Sequence, residues 1–97
     1  MQQFKEEELD ETIYTAFDFW APWCEPCRMV GPILEDIAIG YPGRIKVVKM
    51  NSDGTPNLSD QYQILGFPTI ILFHEGREID RLVGAVPKEN ILSFLRL

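Results

Sequence analysis

Apolar and polar positions change period several times along the 97-residue chain, and each change marks an element. Tyr14 to Trp20 is rich in β-branched and aromatic residues, which predicts a central strand. Val30, Ile33, Leu34, Ile37 and Ala38 then recur at helical spacing, predicting a helix from Cys24 to about Ile39. Gly31-Pro32 inside it is expected to kink it, because proline removes one helical hydrogen bond and crowds the preceding turn. Tyr41-Pro42-Gly43 reads as a turn, Ile45 to Met50 as a second strand, and Pro56 to Tyr62 as a short helix after a loop. Thr69 to Phe73 is a third strand. His74-Glu75-Gly76-Arg77 is a hairpin turn leading into an antiparallel strand from Glu78 to Val83. Pro87 opens a last helix, with Ile91, Leu92 and Leu95 on its apolar side.

Phe4 to Glu11 reads as a short acidic helix whose charges form a solvated face and whose Phe4 and Leu9 can turn inward. The expected order is therefore α-β-α-β-α-β-β-α: an α/β fold with a four-stranded mixed sheet, part parallel, ending in an antiparallel hairpin. No repeat, low-complexity stretch or linker interrupts residues 1–97, so they read as one domain. Composition adds little: 45% hydrophobic and 25% charged residues are those of an ordinary globule. The net charge of −6 argues against nucleic acid or an anionic membrane as partner. No apolar run approaches a membrane span, and the acidic N-terminus does not resemble a secretory signal, so a cytoplasmic protein is expected.

Chemistry enters with the stretch Trp20 to Arg28, which holds both cysteines, Cys24 and Cys27, two residues apart. Strand, short loop, Cys-x-x-Cys, helix is an arrangement that makes a redox dithiol, since the spacing brings two sulfurs within one helical turn. Cys24 would stand at the helix start, where free backbone N–H groups and the positive dipole end favour a thiolate. Cys27 would lie one turn inward, and Pro26 is tolerated because a first-turn residue has no helical partner for its missing N–H. Zinc is the competing reading, but it needs about four ligands, and beyond the cysteines only His74 and carboxylates remain. A metal or iron–sulfur site bridged between two chains is the residual alternative.

Asp18-Phe19-Trp20-Ala21, Trp23-Cys24-x-Pro26-Cys27, Gly31-Pro32, Gly66-Phe67-Pro68-Thr69 and Val83-Gly84-Ala85 together resemble the thioredoxin family, from about Phe4 to the C-terminus. The resemblance implies the thioredoxin fold and a protein-disulfide reductase with no bound cofactor, because the sulfurs carry the electrons. It implies Cys24 as attacking thiolate and Cys27 as resolving thiol, with disulfide-containing proteins as targets and a thioredoxin reductase as electron donor. Asp18 matches a buried carboxylate that moves protons to and from the inner thiol, and Lys49 a lysine near it. Pro68 matches a cis-proline beside which Phe67 offers backbone to an extended substrate. Trp23, Pro26, Gly84 and Ala85 complete an apolar docking rim, while Trp20 is expected to serve packing.

Three departures from the family pattern stand out. Glu25 replaces the usual glycine between the cysteines and is expected to disfavour the Cys24 thiolate slightly, with Arg28 as a local offset. Phe67 is bulkier than the usual aliphatic residue. The N-terminus is expected to be one strand short, which would leave Ile45 to Met50 as a sheet edge protected in part by Lys46 and Lys49; a monomer is expected. Two rival functions remain: a disulfide oxidase or isomerase of the same fold, and a docking module in which the dithiol is incidental.

Overall fold

The computed structural model describes residues 13–54 and 56–97, and the expected helix from Phe4 to Glu11 lies outside them. In chain order the elements are β1 (Tyr14–Trp20), α1 (Glu25–Gly40), β2 (Ile45–Asn51), α2 (Pro56–Gln61), β3 (Thr69–His74), β4 (Arg77–Val83) and α3 (Lys88–Phe94). The described strands form one mixed sheet in the order β2-β1-β3-β4. β2 runs parallel to β1, β3 antiparallel to β1, and β4 antiparallel to β3. This is the sheet and helix arrangement of a thioredoxin fold.

Side-chain alternation along the central strands divides the core in two. Ala16, Ile70 and Leu72 face the side covered by α1 and α3, where they meet Val30, Leu34, Ile37, Ile91 and Leu95. Phe17, Phe19, Met50, Ile71 and Phe73 face the other side and pack with Leu58, Tyr62 and Ile64. β1, hydrogen-bonded on both edges and covered on both faces, buries five consecutive residues, Thr15 to Phe19. Asp18 falls on the α1 face of that strand, in line with Ala16 and Trp20, and is buried as deeply as its apolar neighbours.

The helix around Pro32 continues without a break from Glu25 to Gly40, one residue beyond the expected end. The hairpin is tighter than the sequence implied. His74 and Arg77 are paired strand residues, and the turn consists of Glu75 and Gly76, with φ of 53° and 75°. Two consecutive left-handed residues match the right-handed twist of the flanking strands, which is why the turn closes so sharply. Within the described residues β2 pairs only with β1. The end of β1 is tied to the loop after β2 by the Ser52 amide, which donates to the Trp20 carbonyl at 2.8 Å. That bond anchors the loop from which the cysteines start.

Candidate active site

The chain leaves β1 at Trp20 and turns at once, the Cys24 amide donating to the Ala21 carbonyl at 3.1 Å. Cys24 is the N-cap of α1, in extended backbone conformation, and its Sγ accepts a hydrogen bond from the Cys27 amide at 3.2 Å. A sulfur in that position satisfies one of the orphan donors of the first turn, and a thiolate there would gain both the charged hydrogen bond and the dipole. Pro26 occupies the first turn, where its missing N–H leaves no gap. Cys24 and Cys27 are joined as a disulfide, with Cα atoms 5.3 Å apart.

Both cysteines are almost covered, Cys24 at 4% and Cys27 at 6% exposure, so residue burial alone does not distinguish an outer from an inner cysteine. Their surroundings do. Cys24 lines an open groove together with Trp23, Glu25, Pro26, Leu65, Gly66 and Phe67. Cys27 lines a separate cleft of about 310 Å³, shared with Asp18, Trp20, Arg28, Gly31 and Lys49. One cysteine therefore faces a surface that an extended peptide could reach, and the other faces a buried carboxylate.

Asp18 is 2% exposed, and its Oδ1 has no hydrogen-bond partner among the described residues. Burial pushes its carboxyl up to about 6, with the positive charge of Lys49 acting in the opposite direction. Lys49 is the register partner of Asp18 across β1 and β2. Its Nζ, however, ion-pairs with Glu35 Oε1 at 2.8 Å and lies 3.5 Å from the Gly31 carbonyl oxygen, both on α1. Glu35 was not anticipated from the sequence. Its helical position, one turn after Gly31 on the same face, is the signal that could have found it.

Around the groove, the Trp23 and Phe67 rings meet edge to face with centroids 5.5 Å apart. The Phe67–Pro68 peptide bond is cis. The Gly84 amide donates to the Pro68 carbonyl at 2.8 Å, and Gly84 has φ of +96°, a conformation that a side chain would strain. Ala85, next in the chain, is exposed. Leu65, which the sequence reading passed over, is 97% exposed on the groove wall. Trp20 is half-buried and packs against the cluster of Ala21, Cys24 and Cys27, as Phe67 also does.

Glu25 points outward and its Oε1 pairs with Arg28 Nη1 at 3.2 Å, while Arg28 Nη2 reaches the Pro22 carbonyl at 3.2 Å. The carboxylate between the cysteines is thus matched by a guanidinium one turn on, both well exposed to screening solvent. His74 ends β3 away from the dithiol, its ring edge-on to Tyr14. Among the described residues, no group of three or more His, Cys, Asp or Glu side chains is disposed to hold a metal ion. No described helix is long and apolar enough to cross a membrane.

A family model described as Thioredoxin matches residues 1–97. The chain is 49% identical over 92 residues to a thioredoxin of Synechocystis sp., covering 95% of this chain and 86% of that protein. It is 50% identical over 92 residues to thioredoxin 1 of Nostoc sp., with the same shares covered. It is also 42% identical over 90 residues to the chloroplastic M-type thioredoxin of Chlamydomonas reinhardtii, covering 93% of this chain and 64% of that protein.

Proposed function

The chain belongs to the thioredoxin family and is a thiol–disulfide oxidoreductase with protein-disulfide reductase activity, and from that premise we propose how its residues divide the reaction. In the reduced protein, Cys24 as thiolate attacks one sulfur of a target disulfide. The target S–S bond breaks, a Cys24–target disulfide forms, and the expelled target thiolate takes a proton from solvent. Cys27 then gives its proton to the Asp18 carboxylate and attacks Cys24 Sγ. The second target thiolate leaves, the Cys24–Cys27 disulfide closes, and two electrons have passed to the target.

The observation that carries this division is the pair of separate surfaces, with Cys24 on the open groove and Cys27 on the cleft that holds Asp18. An acid poised near 6 can accept a proton at neutral pH and return it to solvent afterwards. Lys49 limits how far that carboxyl rises. Trp23, Pro26, Phe67, Pro68, Gly84 and Ala85 form the docking surface for target backbone and apolar side chains. Reductases and disulfide-containing proteins are the partners of the family in general; for this chain the proposed electron donor is a thioredoxin reductase. The protein acts as a single-domain monomer in a reducing compartment such as the cytoplasm, in keeping with cysteines used only for the redox pair.

The reduction potential of the Cys24–Cys27 pair, measured in defined thiol–disulfide buffers, tests the direction of electron flow. A value on the reducing side of the glutathione couple is expected. A value on the oxidising side would make the protein an oxidase or isomerase instead. A smaller effect is expected at Glu25: Glu25→Gly should lower the pH at which Cys24 is alkylated, because removing a nearby negative charge favours the thiolate. The Arg28 pairing and solvent exposure keep that change small. An alkylation profile that is unchanged, or moved to higher pH, would remove Glu25 from the tuning of the nucleophile.

A further inference from the structure

We propose that Glu35 is a positioning residue, which tethers Lys49 at the outer lip of the Asp18 cleft and so leaves the Asp18 carboxylate free to act as a base. The starting point is an unused opportunity for pairing. Lys49 is the cross-strand partner of Asp18, and Asp18 Oδ1 has no hydrogen-bond partner among the described residues, yet the ammonium makes its contacts with α1. Both contacts come from α1: Glu35 Oε1 at 2.8 Å and the Gly31 carbonyl oxygen at 3.5 Å. Residues 31 and 35 are one helical turn apart, so a carbonyl and a carboxylate flank the same cation.

The preference has a physical cause. To reach Asp18 the ammonium would have to enter a mainly apolar cleft and lose water, a cost that one added ion pair does not always offset. Glu35 offers a carboxylate at the rim, where its side chain keeps 58% exposure and the Lys49 side chain 35%. Lys49 therefore stays partly hydrated. Its charge still acts on Asp18, but reduced by distance and by the opposite charge beside it.

The groups that face Asp18 from the surrounding elements are few. β2 presents Lys49, while α1 presents Cys27 and Arg28 at the cleft wall, and Glu35 through Lys49. β3 presents Ile70, the other register partner, and α3 contributes Ile91 and Leu95 to the core on this face. Alongside Asp18, β1 itself carries Ala16 and Trp20, neither of which titrates. Lys49 is thus the cation whose position Glu35 can change, and loss of Glu35 would free it to approach Oδ1. The Asp18 carboxylate would then become a weaker base toward Cys27. This inference rests on the proposed role of Asp18 for its kinetic meaning, but the tether can be tested without it.

The test is to follow the Asp18 side-chain carboxyl by carbon NMR as pH is raised in the oxidised protein, comparing wild type, Glu35→Gln, Lys49→Met and the double variant. Glu35→Gln is expected to lower the Asp18 midpoint by ~0.5–1 pH unit, and Lys49→Met to raise it. The double variant should titrate with Lys49→Met, because without the lysine there is nothing to tether. An unchanged or raised midpoint in Glu35→Gln would overturn the proposal. So would an equal downward shift in both backgrounds, which would mean that Glu35 acts on Asp18 directly. The pH profile of turnover separates the underlying reading: if the Asp18 midpoint moves as expected but the profile does not follow, the tether stands and Asp18 is not the proton acceptor.

Discussion

Replacing Cys27 with serine should abolish turnover and leave the protein covalently joined to its target through Cys24. With Cys27 absent, the first exchange still runs: Cys24 keeps its N-cap position, the Cys27→Ser backbone amide still points at its sulfur, and the groove is intact. The second exchange cannot run, because a serine hydroxyl is not a nucleophile toward a disulfide at neutral pH. Non-reducing electrophoresis with mass spectrometry should show one target molecule per protein, released by dithiothreitol. Cys24→Ser should give no adduct at all. If instead Cys24→Ser accumulated the adduct and Cys27→Ser did not, the two roles would be reversed. The assignment of the open groove to the nucleophile would then be wrong.

Asp18→Asn should stabilise the oxidised protein at neutral pH while slowing it. The carboxyl titrates near 3.8 in an unfolded chain and at about 6 in the fold, because burial disfavours its charge. Between those values the folded protein binds more protons than the unfolded chain, so stability falls as pH rises through the window. The penalty is nearly absent below about pH 3 and complete above about 7, where it reaches on the order of 3 kcal/mol. A neutral amide of the same shape does not ionise and escapes it. Denaturant titrations should therefore show the Asp18→Asn variant more stable at pH 8, with the difference all but vanishing at about pH 3. Equal stabilities at both pH values would mean that the Asp18 charge is well solvated in the fold.

The same substitution removes the carboxylate that is proposed to accept the Cys27 proton. Turnover at pH 7 should fall about 100-fold, near the lower end for general acid–base catalysis because water can enter the cleft from its open side. The deficit should narrow at higher pH, as Cys27 ionises without help. A variant that was more stable but equally fast would leave Asp18 as a costly burial with no part in the reaction.

How much of this could be read without coordinates differs from residue to residue. The dithiol was legible because its chemistry is local: Cys-x-x-Cys at a strand-to-helix junction constrains both sulfurs within four residues. The strand at Thr69 was legible as an apolar run between Gly66-Phe67-Pro68 and His74-Glu75-Gly76, and the strand at Tyr14 as a run rich in aromatic residues. Asp18 was legible as an anomaly, a lone carboxylate in such a run. The exact turn at Glu75-Gly76 was not, since four polar residues can close a hairpin in several ways. Only strand register decided that two of them are paired.

What the sequence determined by itself is what depends on short spans: element types, the paired cysteines, and the family pattern that carries them. The tertiary structure decided what depends on packing between distant segments. It put Cys24 on the groove and Cys27 on the cleft, a distinction that the similar burial of the two residues conceals. It set Asp18 opposite Lys49 through the parallel pairing of β1 and β2, and drew the lysine to Glu35 instead. No local pattern encodes that choice. It follows from the balance between desolvating an ammonium in the cleft and pairing it at the hydrated rim, and that balance exists only once α1 lies across the sheet.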